Sequence, residues 1–318
     1  MLVMEYYIEI GSYRLVALDS VSIKRGVESL SDVATIVLPA TNINRSIEVE
    51  SKIKEGDAIE IRLGYGDNLQ TEFKGYLKSI RTDDNKITLE CEDEIYVFRK
   101  GLENREYKDI TLEKLLTEVV SQIDNSYSIS CDYEFRYDKF VIRDANAWDV
   151  LKKVQDETKA NIYFKEKCLH VHPQYSEIAN ESEVIFDFSV NIEKSNLKYK
   201  KADERKYFVE VEGVGKDGKR ISTSIGTTGG EKRSIKIYGV TDTESLKKRA
   251  KEELKQIVYT GFEGDFTCWL VPYVEPTYKI ELRDSDYPEK NGKYYVLATD
   301  TSFSRSGGVR KIRIGKKL

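Results

Sequence analysis

Two hydrophobic spacings alternate along this chain. Between Tyr6 and Cys91, nearly every segment reads as strand: 6–10, 13–18, 33–38, 58–63, 73–81 and 87–91. Such runs, bounded by Gly, Asn and Asp turns, predict half-buried antiparallel strands. Their regular spacing predicts a small barrel or sandwich, and a barrel is favoured because closure leaves few edges to protect. Residues 261–314 then repeat in outline what residues 55–92 have done. In the first copy Ile59, Ile61 and Leu63 alternate with polar residues, Gly64-Tyr65-Gly66-Asp67 turns, and Phe73-Lys74-Gly75-Tyr76-Leu77 returns. In the second, Tyr278, Ile280 and Leu282 lead through a polar turn ending at Gly292 to Lys293-Tyr294-Tyr295-Val296-Leu297.

Between the copies the period changes. Leu112, Leu115, Leu116, Val119, Val120 and Ile123 make one apolar stripe, predicting a helix begun near Thr111. A second helix is predicted after Asn146, with Trp148, Leu151 and Val154 on its buried side and Asp149 complementing the dipole of its first turn. Residues 161–164 and 168–172 form a hairpin around Lys165-Glu166-Lys167, and 207–211 and 220–224 another around Lys216-Asp217-Gly218-Lys219, since Asp-Gly tolerates positive φ. Thr241 and Glu244 suggest a capping box before Leu246, Ala250, Leu254, Ile257 and Val258. The expected fold class is α+β, mainly β: two related small antiparallel β-barrel modules with an inserted helix-helix-hairpin α/β unit. The expected divisions are 1–105 for the first barrel module, 106–195 for the inserted unit, and 196–318 for the second barrel module with one amphipathic helix.

Composition narrows the function classes. The 51 basic and 55 acidic residues nearly cancel, which argues against a dedicated nucleic-acid binder. Glu5, Glu9 and Arg14 interrupt the N-terminal apolar residues, so no signal peptide is expected, and no window approaches the roughly 18 apolar residues of a membrane span. Cys91, Cys131, Cys168 and Cys268 are scattered without a Cys-x-x-Cys pair, the usage of reduced thiols in a protein folded in the cytoplasm.

Candidate chemistry is sparse. Cys168, His170 and His172 alternate and so share one face of a strand, the best metal geometry in the chain. A structural zinc needs a fourth ligand that no spacing announces, and the plainer reading has Leu169 and Val171 facing the core with these three opposite. Asp83 with Asp84, and Glu90, Glu92, Asp93 and Glu94, could supply paired carboxylates for glycoside hydrolysis. Acidic clusters at strand ends are more often solvated turns. Gly213-Val214-Gly215-Lys216-Asp217-Gly218 has dinucleotide-binding spacing, but it leads into a strand where that fingerprint must open a helix. The glycine runs at 226–230 and 307–308 lack a following Lys-Ser/Thr and read as turns. Trp148 and Trp269 are expected to pack in the core rather than serve as stacking platforms.

In this order the elements resemble the tail-hub family that includes phage late control protein D, the baseplate hub of contractile tails, and the head region of type VI secretion spike proteins. Three stretches carry the likeness. They are Gly56-Asp57 with Ile59-Glu60-Ile61, Phe73-Lys74-Gly75-Tyr76 and Ile80; residues 112–120, 146–154 with its Trp148-Asp149-Val150-Leu151 core, 161–164 and 169–173; and 261–270 followed by Asn291-Gly292-Lys293-Tyr294-Tyr295-Val296. Where a Pro-Gly-Asp-type turn often precedes the last module, this chain has Val274-Glu275-Pro276-Thr277. The resemblance implies a non-enzymatic structural protein of a virion tail or baseplate, assembled in the host bacterial cytoplasm. It further implies a homotrimeric, pseudo-six-fold ring joining a tail tube protein to the central spike. With no repetitive β-helix or lytic domain before Leu318, the spike is expected to be a separate protein. No cofactor, no metal and no specific nucleic-acid binding are expected, though DNA would pass through the ring. The alternative is a tail-tip host-surface binding module or a cell-wall hydrolase.

Overall fold

The computed structural model describes residues 3–39, 52–83, 86–176, 178–180, 182–215 and 217–318. They form two compact units. One combines the residues up to Tyr96 with Ile178–Lys198 and Phe262–Leu318, and the other combines Val97–Glu177 with Tyr199–Gly261.

The first unit contains the repeat. Its N-terminal half supplies, in chain order, the strands Met4–Ile10, Ser20–Gly26, Val33–Pro39, Ala58–Tyr65, Asn68–Asp83 and Lys86–Glu92. Its C-terminal half draws on Val184–Asp187, Lys194–Ser195, Gly261–Trp269, Lys279–Arg283, Gly292–Ser304 and Gly307–Lys317. In both halves the strands lie side by side as second, third, sixth, fifth, fourth, first. One pairing differs, because the first and fourth strands run antiparallel in the N-terminal half and parallel in the C-terminal half.

The likeness extends to single hydrogen bonds. Before its fourth strand, the N-terminal half turns at Lys54–Asp57, closed by the Asp57 N–H donating to the Lys54 carbonyl; the C-terminal half turns at Glu275–Tyr278 with the Tyr278 N–H donating to Glu275. Gly56 N–H then donates to the Leu77 carbonyl and Leu77 N–H to Asp57, while Thr277 N–H donates to Val296 and Val296 N–H to Tyr278. The fifth strand is bulged just after each of these partners, between Leu77 and Ser79 and between Val296 and Ala298. A bulge bends a strand and strengthens its twist, which rolls each sheet in the same place. Gly56 takes φ 89°, as the third residue of such a turn requires. Thr277 is forced to φ 75° at the matching position, where a β-branched side chain is strained by about 1–3 kcal/mol. Thr277→Gly is therefore expected to stabilise the first unit by about 1 kcal/mol after the entropy cost of glycine, and Gly56→Thr to destabilise it by a similar amount or more. Thermal melts of the two variants check both signs.

The halves are hydrogen-bonded together. Strand Ser20–Gly26 pairs antiparallel with Ala298–Ser304, so one continuous sheet passes from one repeat into the other. Ile8, Val21, Ile36, Ile61 and Leu89, from five N-terminal strands, belong to a single buried cluster. Sheet faces buried this completely need a covering layer, and here the sheet itself, curled round, supplies it. Leu270 and Phe303 of the C-terminal half join that cluster.

The Ser20–Gly26 strand departs from the sequence expectation, which had no strand there because only Val21 and Ile23 mark it. Residues 13–18 depart in the other direction: only Tyr13–Arg14 pair as strand, although Leu15 and Leu18 are buried.

The second unit carries three α-helices among the described residues. Leu112–Ile123 is capped by Thr111, whose side chain accepts from Lys114 N–H, and it buries Leu112, Leu115, Leu116, Val119 and Val120. Ala147–Thr158 begins at Asn146 with a reciprocal capping box to Asp149. Trp148 is only half-buried there, beneath the Arg99 guanidinium at 5.2 Å, and Val150 joins Leu151 and Val154 inside. The hairpin Asn161–Lys165 and Cys168–His172 pairs as expected, with Ser128–Cys131 added in parallel. The third helix, Thr243–Ile257, starts from Asp242 rather than the expected Thr241–Glu244 box: the Asp242 carboxylate accepts from Ser245 N–H, and Thr241 donates instead to Asp138. Leu246 and Ala250 are buried as expected, whereas Leu254, Ile257 and Val258 are half-buried and Arg249 and Glu252 take interior places. This helix lies over the strands Tyr207–Val214 and Arg220–Gly226. No helix among the described residues is long and apolar enough to cross a membrane.

Candidate functional site

A buried polar network lies where the two repeats meet, and residues far apart in sequence build it. Arg25, on the strand that joins the halves, reaches Asp32 at 3.2 Å, Glu275 at 3.1 Å and the Tyr273 hydroxyl at 3.3 Å. Tyr273 donates to the Thr71 carbonyl at 3.0 Å. Deeper in, Arg310 is 0% exposed and forms an ion pair with Glu72, itself 3% exposed. Its guanidinium also donates to the Leu270 carbonyl at 2.7 Å and lies 5.0 Å from the centre of the Tyr273 ring. Thr301 donates to the second Glu72 oxygen at 3.3 Å. Asp32 accepts from Gly26 N–H at 3.0 Å, and its own N–H donates to Asp93 at 3.1 Å.

Every contact in this chain of bonds crosses or braces the joint. Glu72, Asp32, Arg25 and Asp93 come from the N-terminal repeat, Arg310, Thr301, Tyr273 and Glu275 from the C-terminal one. Burial pushes the Glu72 carboxyl above its ordinary range against the pull of Arg310, and burial with Asp32 nearby holds the Asp93 carboxyl well above the usual carboxylate range. Buried ions are costly to desolvate, so such a network adds little net stability but penalises any arrangement that leaves one member unpaired. It therefore specifies one relative setting of the repeats.

Part of this joint is the Val274-Glu275-Pro276-Thr277 loop, which turns just before strand Lys279–Arg283. Glu275 spends its carboxylate on Arg25 and Tyr273. Sequence reasoning did not single out Arg25, Glu72 or Arg310; the one available signal was charged residues at inward positions of alternating strands.

The acidic run expected to be a solvated turn is partly interior. Glu92 is buried and paired with Lys78 at 3.5 Å, and Asp93 accepts from the Asp32 and Ile95 N–H groups. Glu90 is bound by Arg81 and Ser79, Glu94 accepts from Tyr76, and Asp83 is exposed at a hairpin end; Asp84 lies outside the described residues. These carboxylates are thus distributed among separate partners rather than gathered about one open site.

Cys168, His170 and His172 do share a face, opposite buried Leu169 and Val171. His170 stacks on Tyr163 with ring centres 5.2 Å apart, and His172 bonds the Pro173 carbonyl at 2.9 Å and the Tyr163 hydroxyl at 3.3 Å. Among the described residues no group of three His, Cys, Asp or Glu side chains is placed to hold a metal ion.

Gly213 lies within a strand, where an added Cβ would sit 2.2 Å from the Val240 carbonyl oxygen, so close backbone approach explains it; Lys216 of the same motif lies outside the described residues. Trp269 corrects the expectation of core packing, being 57% exposed at the end of its strand. Its neighbour Leu270 turns inward in its place, 2% exposed.

No family model matches the sequence, and no curated protein sequence does. Solved structures do. A tail protein from Neisseria meningitidis MC58 superposes with a TM-score of 0.71 at 14% identity, covering 99% of this chain and 96% of its own. The 43 kDa tail protein of prophage MuSo2 from Shewanella oneidensis gives 0.69 at 14% identity, covering 98% of each chain. The E. coli c3393 protein, a type VI secretion system component with structural similarity to the T4 bacteriophage tail proteins gp27 and gp5, gives 0.63 at 8% identity, covering 98% of this chain and 77% of its own. The chain has the mainly antiparallel β fold, with inserted helices, of these tail proteins and this type VI secretion component.

Proposed function

We propose that this protein is a non-enzymatic structural hub of a phage or phage-like tail, three copies of which close into a ring between the tail tube and a separate central spike. The observation that carries this reading is the repeat. Two halves with one strand order and one set of turn and bulge hydrogen bonds give each chain two similar faces, and three chains then present six. A six-fold tube and a three-fold spike need such an adaptor. Joining the first repeat of one copy to the second repeat of the next is a heterologous contact that closes after three steps. The buried ion network supports this, because a ring closes only if both repeats are held at one fixed angle. The fold shared with tail proteins and a type VI secretion component supports the setting in a virion tail or baseplate.

An obligate ring of this kind is expected to bury about 2,000–5,000 Å² per interface. Light scattering on the purified chain at micromolar concentration is expected to give a mass that is a whole multiple of three copies of 36.7 kDa. A particle whose copy number is not a multiple of three, at every concentration tried, would contradict the ring.

A further inference from the structure

The second unit holds a three-stranded sheet in the order Arg220–Gly226, Tyr207–Val214, Glu231–Tyr238. Its two edges are built on opposite principles. The Glu231–Tyr238 edge carries Lys232, Arg233 and Lys236, the charged residues with which proteins commonly keep a strand edge from pairing with other chains. The Arg220–Gly226 edge has no charge from Ile221 through Gly230 and no proline. It is also regular, pairing residue for residue with the central strand from Phe208–Gly226 to Val214–Arg220. Among the described residues its outer side is paired with no other strand.

The sequence of that bare edge reads the same in both directions: Ile221-Ser222-Thr223-Ser224-Ile225. Antiparallel pairing with a second copy about a two-fold axis through Thr223 sets Ile221 against Ile225, Ser222 against Ser224, and Thr223 against itself. Like side chains then meet on each face. The register with the central strand puts Ile221, Thr223 and Ile225 on the side of Val209 and Val211, and Ser222 and Ser224 on the side of Glu210 and Glu212. Those two glutamates are already engaged by Lys232 at 2.8 Å and by Lys236 at 3.5 Å, so the two-fold brings no unpaired carboxylates together. The covering helix Thr243–Ile257 spans the edge strand and its neighbour. With strands about 4.8 Å apart, its two-fold mate would lie about 10 Å away, an ordinary helix packing distance.

We propose that Arg220–Gly226 is a self-association edge, through which two copies of this chain join their three-stranded sheets into one six-stranded sheet. This contact is independent of the ring proposed above. Where both operate, two three-copy rings meet through their edges; where only the edge operates, the particle is a pair.

Sedimentation and light scattering of the full chain test it, comparing wild type with Ser222→Lys/Ser224→Lys. That variant sets like charges directly opposite each other across the two-fold while leaving the chain's own pairing partners in place. The wild type is expected to contain an even number of copies, two or six, and the variant half as many, with an unchanged far-ultraviolet circular dichroism spectrum. A wild type of one or three copies, or a variant that keeps the wild-type mass, would overturn the edge contact. The two proposals separate cleanly: a fall from two copies to one supports the edge and contradicts the ring, whereas three copies in both proteins support the ring and contradict the edge.

Discussion

Arg310→Met is expected to destabilise the first unit by about 3–5 kcal/mol, the usual consequence of removing one partner from a buried ion pair. Methionine roughly fills the space of the arginine stem, so the loss is chiefly electrostatic. Glu72, 3% exposed, would keep its Thr301 bond but lose the guanidinium, and the Leu270 carbonyl would lose a donor. Removing both ions is a different experiment. Glu72→Met/Arg310→Met leaves no orphaned charge and is expected to recover most of the loss, because apolar replacements of a whole buried pair are often nearly neutral. The two tryptophans make the measurement straightforward, since Trp269 lies in the first unit and Trp148 in the second. Urea unfolding followed by fluorescence in a Trp148→Phe background reports the first unit alone. If the single and double variants lose equal stability, the network does not act as a coupled joint.

Gly75→Ala is expected to cost about 3 kcal/mol, at the upper end of ordinary overpacking. Gly75 lies on the bulged fifth strand, and a Cβ there would sit 2.3 Å from the Glu92 carbonyl oxygen and 2.9 Å from the Asp93 Cα. Both obstacles are backbone, so no rotamer change relieves the clash. The neighbouring strand would have to move, and with it Asp93, which accepts from Asp32 at the joint. The damage should therefore reach the repeat interface as well as the hairpin. The same fluorescence-detected unfolding checks the size of the effect, and a loss below about 1 kcal/mol would show that the strand pair yields easily.

Much of this architecture is legible in the residues. Alternation at Ile59, Ile61 and Leu63 and again at Ile280 and Leu282 marks strands because their inner neighbours are water-excluded, and the echo between them extends to matched turns and bulges. Helix starts at Thr111 and Asn146 are legible because capping is local chemistry. The third helix start was misplaced by one residue because Thr241 and Asp242 are both competent caps, and Thr241 is drawn to Asp138, far off in sequence. The joint was not legible for the same reason on a larger scale. Arg25 and Glu275 are 250 positions apart, and Glu72 and Arg310 are 238 apart. Nothing local to any of these residues announces its partner. Trp269 misled because a strand end with alternating apolar residues offers two faces, and Leu270 took the inner one.

In the proposed ring, three chains of two similar repeats each imitate a hexagon. Electron microscopy of the purified assembly, viewed end-on and averaged without imposed symmetry, tests it most directly. The expected image is a closed ring of six similarly sized β-densities, evenly spaced, that superposes on itself after rotation by one third of a turn. A ring with another rotational symmetry, or three-fold particles in which the two repeats of each chain lie at unequal positions around the axis, would contradict it.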